Sequence, residues 1–177
     1  MLYPEVKNYG DFEVESFESY LKRLPKDLSA IPPNVIEQWV YRHWDDFKAW
    51  IDLKPHLWSY ELCEFTNEEI MGIGHVDDWI EQLDAEGVEY VTGLPRSQAF
   101  VGNYMTNSGS FPEPIIVAKD SGHVVHPKSF GENMVAPLQL IEGHSRLACI
   151  RGMITVNHES LKEIHSVWVV SIPKEIT

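Results

Sequence analysis

Apolar residues recur at helical spacing in several stretches of the chain and gather into short, strand-like runs in others. Phe12, Val14, Phe17, Tyr20, Leu21 and Leu24 predict a helix over 11–24 that stops at Pro25. After a linker ending in Pro32-Pro33, Asn34 stands where it would cap a helix, with Glu37 at capping-box distance. Val35, Ile36, Trp39, Val40, His43, Phe47, Trp50 and Ile51 then form one apolar stripe, which predicts a continuous helix with His43 as a hydrogen-bonded core residue. The run WSYELCEFT, 58–66, reads as a strand. HVDDWIEQLDAEG, 75–87, reads as a short helix ending on its glycine, and VEYVTG after it as a strand or an extended connection. A helix over 97–107, a strand over 114–119, a polar loop over 120–136 and a strand over 137–141 follow. A further helix is closed by Gly152 in the left-handed conformation, and HSVWVVSI forms the last strand.

Strands separated by helices of this length predict an α/β or α+β domain, a small mixed sheet flanked by helices. The 177 residues suit one domain with an N-terminal elaboration. The net charge of −13 lies entirely in the first half: residues 1–90 carry 20 acidic and 7 basic side chains, whereas residues 91–177 carry 7 of each. The step divides the chain into an acidic, mainly helical N-terminal extension, 1–90, and a domain over 91–177. An acidic surface of this kind is commonly only solvated, and it also suits docking of a basic protein partner. It argues against duplex nucleic acid, whose binding rests on a basic patch. Two cysteines, no 18-residue apolar run and no signal-peptide pattern predict a cytoplasmic protein without membrane insertion.

The densest candidate chemistry is Glu142-Gly143-His144-Ser145-Arg146, at a strand-to-helix junction. First-turn N–H groups lack intrahelical partners and the helix dipole adds partial positive charge, so an anion is favoured there. Gly143 would form the turn, Arg146 would offer a guanidinium fork to phosphate oxygens, and Ser145 and His144 would add side-chain hydrogen bonds. Glu142 and His144 are candidate bases, with Glu142 equally suited to holding the turn. Arg96 and Ser97, after Gly93-Leu94-Pro95, mark a second anion-facing terminus in which Arg96 would help neutralise a triphosphate. His123-Val-Val-His126 lacks the further ligands of a metal site, Gly72-Ile73-Gly74 reads as a turn, and His75, Asp77 and Asp78 read as a helix start. The loop over 120–136 reads either as a polar loop that is only mobile or as a lid from which His126 or Lys128 would reach phosphates.

The stretch PLQLIEGHSRLACIRGMI, 137–154, resembles the second signature box of the ParB/sulfiredoxin superfamily, an apolar strand followed by (Asp/Glu)-Gly-His-x-Arg and a short helix. FPEPIIVAKD, 111–120, is similar to the strand that precedes it. The resemblance covers about the last 80 residues and implies a ParB/sulfiredoxin-like domain that binds a nucleotide (ATP, ADP or CTP) or another phosphorylated small molecule, with Mg²⁺ on the phosphates. The Asp-Gly-His-Thr-Arg form of free serine kinases is nearest. It implies phosphates on Gly143, His144, Ser145 and Arg146, and a phosphoryl-transfer or hydrolytic reaction using Glu142 or His144. The chain departs from the sulfiredoxin form, where a cysteine stands in place of His144, and from the partition form with paired arginines. Its length is also short for the helix-turn-helix and dimerisation domains of a partition protein. A non-catalytic binding module with an acidic docking half, and a nuclease, are the alternative readings.

Overall fold

The computed structural model describes residues 2–93 and 95–174, which fall into two compact units, 1–60 with 171–177 and 61–170. Residues 61–90 therefore belong with the later part of the chain, and the division lies about 30 residues before the step in charge. The described residues include no helix long and apolar enough to cross a membrane.

In the first unit, α1 (Phe17–Arg23) begins at Ser16, whose side chain accepts from the Ser19 N–H. It is shorter than the apolar spacing predicts, because Phe12 is fully exposed and residues 11–14 form turns. The predicted helix over 35–51 is broken. It becomes α2 (Pro33–Val35), a π-helical segment (Ile36–Tyr41), α3 (Trp44–Phe47) and a 3₁₀ segment (Lys48–Leu53). A straight helix would rise about 12 Å from Trp39 to Phe47 and about 16 Å from Trp39 to Trp50. The ring centroids are instead 4.9 and 5.7 Å apart, so the chain curls around Trp39 to bury the aromatics edge to face. His43 sits at the break, exposed, and Trp44 takes the buried place. Asn34 lies inside α2, where Pro33 starts the helix without a side-chain cap. A full capping box occurs instead at Thr66 and Glu69.

The second unit holds β2 (Ile115–Lys119), β3 (Leu138–Glu142) and all but the end residues of β1 (Ser59–Thr66) and β4 (Ile164–Ser171), in a four-stranded sheet of order β1-β4-β2-β3. β2 pairs antiparallel with β3, Val117 opposite Leu140, and parallel with β4, Ile115 opposite Val167. The sheet is mixed and the architecture is α+β, as the alternation of strands and helices predicts. α4 (Asn67–Met71), α5 (Trp79–Val91), α6 (Phe100–Ser108) and α7 (His144–Thr155) accompany it. All residues of α7 from Arg146 to Met153 are buried.

Two glycines read as helix stops lie inside helices. Gly87 is in the middle of α5, which runs on to Val91 through most of the stretch 88–93 read as a strand or an extended connection, and Gly152 is in α7. A Cβ on Gly87 would run into the Ala148 carbonyl oxygen, and one on Gly152 into the Gly87 carbonyl. The pair lets two helix backbones touch, and Arg151 locks the crossing through Asp84 (2.6 and 2.9 Å) and the Met71 carbonyl (2.9 Å). In an open helix Gly→Ala stabilises by about 1 kcal/mol. Gly152→Ala here is expected to lower the unfolding free energy by roughly 1–3 kcal/mol, because overpacking outweighs propensity. Urea denaturation measures this directly, and a neutral or stabilised variant would contradict so close a crossing.

Candidate functional site

β3 enters the site by pairing Glu142 with Ile116 beside a bulge in the ladder. Gly143 then turns the chain with φ 108°, and a Cβ there would lie 2.5 Å from Ile115 Cγ2, so both backbone and packing demand glycine. As N-cap of α7 it has no side chain to accept from the first turn, and the first backbone bond of the helix runs from Leu147 N–H to Gly143 O (2.8 Å). The helix start presents backbone donors beside half-buried His144 and exposed Ser145.

Arg146 lies in this first turn, but its side chain is turned inward and only 9% exposed. One amino group donates to the Glu113 carbonyl (2.9 Å) and reaches the Pro114 carbonyl (3.4 Å), and the other donates to the Glu142 carboxylate. The pair straddles the turn and ties the end of β3 to α7 and to the segment before β2. Arg96 is placed elsewhere, paired with Glu89 (2.6 Å) and Glu86 (3.3 Å) and lying over the Tyr90 ring. Those residues are on the C-terminal half of α5, about 10–17 Å of helix from Trp79 at its start. The structure thus groups Glu142, Gly143, His144, Ser145 and Arg146 and leaves Arg96 apart. Leu94, in the turn before Arg96, lies outside the described residues.

What joins the turn is a cluster of aromatic and imidazole rings. His75 Nε2 is 3.1 Å from His144 Nε2, and the His75 ring centroid is 5.3 Å from that of His126. Trp79, 42% exposed, stands edge-on to His144 at 5.7 Å and tilted to His75 at 5.5 Å. Gly74 delivers His75 by bridging to β3, donating to Leu138 O and accepting from Leu140 N–H, both at 2.9 Å. The loop over 120–136 delivers His126. It is an ordered excursion in which His126 N–H donates to Glu132 O (2.8 Å) and Met134 N–H to Val124 O (2.8 Å). His126 is buried and His123 is exposed. Neither His75 nor Trp79 is marked by its local sequence, and the one pointer to them is Gly72-Ile73-Gly74 ahead of His75.

Hydrogen bonding sets the tautomers. A carbonyl oxygen only accepts, so the His75 Nδ1 placed 3.0 Å from the Val76 carbonyl carries hydrogen. Burial lowers the pKa of His75, against the opposing effects of that hydrogen bond and of Asp77, and the ring is neutral at pH 7. Its Nε2 is then an acceptor, and His144 donates to it from Nε2. His126 is held lower still, at about 4, by burial and by the nearby His75 and Lys128. Cys149, in α7, is pushed up to about 12 by burial, which leaves its thiol inert near neutral pH. Among the described residues no group of three or more His, Cys, Asp or Glu side chains is placed to hold a metal ion. Comparisons with family models, curated proteins and solved structures find no match to this chain.

Two outcomes are expected from this geometry. Arg146→Ala leaves the Glu142 carboxylate buried without its cation and should cost about 3–5 kcal/mol in denaturant unfolding, part of which returns when Glu142→Gln is added. His126 binds a proton near pH 6.5 when unfolded and only near about 4 when folded. The unfolded chain therefore takes up more protons in that window, and stability present above pH 6.5 is lost as pH falls toward 4, on the order of 2 kcal/mol. Urea titrations at pH 7 and pH 5 should show this loss shrinking in His126→Gln.

Proposed function

We propose that the chain is a nucleotide-binding protein of ParB/sulfiredoxin-like type whose phosphate site is the Gly143-His144-Ser145 turn. The observation that carries the reading is the start of α7: a left-handed glycine with no side-chain cap, an exposed hydroxyl beside it, and an exposed Trp79 ring against His144. First-turn N–H groups and the Ser145 hydroxyl suit phosphate oxygens, and Trp79 suits a stacked base. The likeness of 137–154 to the superfamily's signature box supports the same site.

Arg146 acts here by holding the turn, not by touching phosphate. Glu142 is committed to Arg146 in the same way, which leaves His144 as the base. Half-buried beside the exposed Ser145 and hydrogen-bonded to His75, His144 is the group that would take a proton from water or a hydroxyl acceptor. Mg²⁺ would be carried on the phosphates and not by a protein cage, since among the described residues no group of three or more His, Cys, Asp or Glu side chains is placed to hold a metal ion. Phosphoryl transfer or hydrolysis would rest on positioning by the helix start and on this base.

Thermal unfolding with Mg²⁺ and ATP, ADP, CTP or GTP tests the reading, because a ligand at 100 times its Kd adds about 2.7 kcal/mol. Ser145→Glu is the sharpest variant. A carboxylate in a first turn suits the helix dipole, so the apo protein should keep or gain stability while nucleotide affinity falls at least about tenfold. Trp79→Ala should lose about fivefold in nucleotide affinity and nothing in affinity for inorganic triphosphate. If no nucleotide shifts the transition, the reading fails, and a non-catalytic module whose acidic half docks a basic protein takes its place.

A further inference from the structure

A second constellation lies outside the α7 turn and does not depend on the nucleotide reading. Ser110 follows Gly109, which closes α6 in the left-handed conformation (φ 77°); Asn67 opens α4; His165 lies near the start of β4. Three separate segments bring these side chains together. Ser110 Oγ is 2.8 Å from His165 Nδ1, and His165 Nε2 is 2.9 Å from Asn67 Oδ1. The Asn67 amide is oriented by its own donor, Nδ2 to the Lys162 carbonyl at 3.2 Å, so that its oxygen faces the imidazole.

An amide oxygen only accepts, so His165 carries hydrogen on Nε2. The neutral ring then has its lone pair on Nδ1, and the Ser110 hydroxyl donates to it. The ring is 1% exposed, and burial lowers its pKa against an opposing backbone hydrogen bond with Lys162, so at pH 7 it is neutral and can accept a proton. Ser110 is half-buried and is the more exposed member of the pair. A hydroxyl on the bare nitrogen of a base whose other nitrogen is held by a third side chain is the geometry of an activated nucleophile.

We propose that Ser110 is a nucleophile, with His165 as its base and Asn67 as the positioning residue that sets the tautomer, and that it acts on uncharged carboxylic esters. The flank of the imidazole is apolar, with Phe111 5.6 Å from the His165 ring, which suits an uncharged acyl group. The orienting Asn67 is neutral, so the pair of charges formed in the addition step, imidazolium and oxyanion, balances without a buried carboxylate. Ser110 Oγ bonds to the acyl carbon while its proton passes to His165 Nδ1. The ester C–O bond then breaks, and the leaving alkoxide takes that proton. Water repeats the sequence: it bonds to the acyl carbon, its proton passes to His165, and Ser110 Oγ leaves and takes the proton back. No oxidant or reductant is needed.

The test uses the full chain and p-nitrophenyl acetate. Peptide mass mapping of the wild type should find one acetyl group, on Ser110, formed with a burst of p-nitrophenolate. The acylation rate should rise with pH and level off below pH 6.5, where His165 becomes neutral. Ser110→Ala should abolish burst and adduct. Asn67→Ala should slow acylation by about tenfold and displace the midpoint of the pH profile, which a purely structural role for Asn67 would leave in place. Acetylation scattered over surface lysines with none at Ser110, or a Ser110 rate that climbs without levelling to pH 9, would overturn the proposal; the wild-type mapping gives this answer even if a variant fails to fold.

Discussion

The close crossing of α5 and α7 at Gly87 and Gly152 is the constraint on which the second unit depends. α7 is buried all round from Arg146 to Met153, so it can have no solvated face, and every polar group it carries must find a partner inside the protein. Its two arginines show the consequence. Arg151 is satisfied by the Asp84 carboxylate and the Met71 carbonyl, and Arg146 by the Glu142 carboxylate and two further carbonyls. A wider crossing would leave Arg151 short of Asp84, and a guanidinium stranded in this core costs several kcal/mol.

The same crossing positions the chemistry. Gly87 touches the middle of α7 and Trp79 touches His144 at its start, so α5 and α7 run in parallel and begin at the same end of the unit. α5 has acids around its start, Asp78 at the cap and Glu81 in the first turn. α7 has none, and its start faces neutral imidazoles. Of these two helix starts, that of α7 is the one whose partial positive charge is not already offset by carboxylates of its own first turn. This difference, more than the presence of arginine in the motif, separates an anion site from an ordinary helix terminus.

How much of this was legible in the sequence varies with the range of the physics. β2, β3, β4 and the start of α7 follow from short apolar runs and a glycine between strand and helix, because neighbours along the chain decide them. Gly87 and Gly152 have the local signature of helix stops, and only a partner helix makes them interior positions. The aromatic stripe over 35–51 has the period of a straight helix, yet the gain from packing four aromatic rings together exceeds the cost of a π segment and a break at His43. The candidate site divides along the same line. The turn from Glu142 to Arg146 is contiguous and visible in the sequence. The inward rotation of Arg146 and the convergence of His75, Trp79 and His126 depend on residues tens of positions away.

Buried histidines recur in the two constellations of the second unit, and the logic of each is set by a hydrogen-bond acceptor. The Val76 carbonyl fixes His75 and thereby His144, and the Asn67 amide oxygen fixes His165. Both of these acceptors are uncharged. A carboxylate partner would raise the imidazole pKa and favour the cation, whereas a neutral acceptor selects one tautomer and leaves burial to depress the pKa. His75 and His165 are thereby kept neutral near pH 7, each with one ring nitrogen committed as donor and the other as acceptor. The unit thus holds basic nitrogen in fixed orientations without adding buried charge to a core already occupied by two compensated arginines, and that economy explains how so many polar groups coexist with a helix buried on every side.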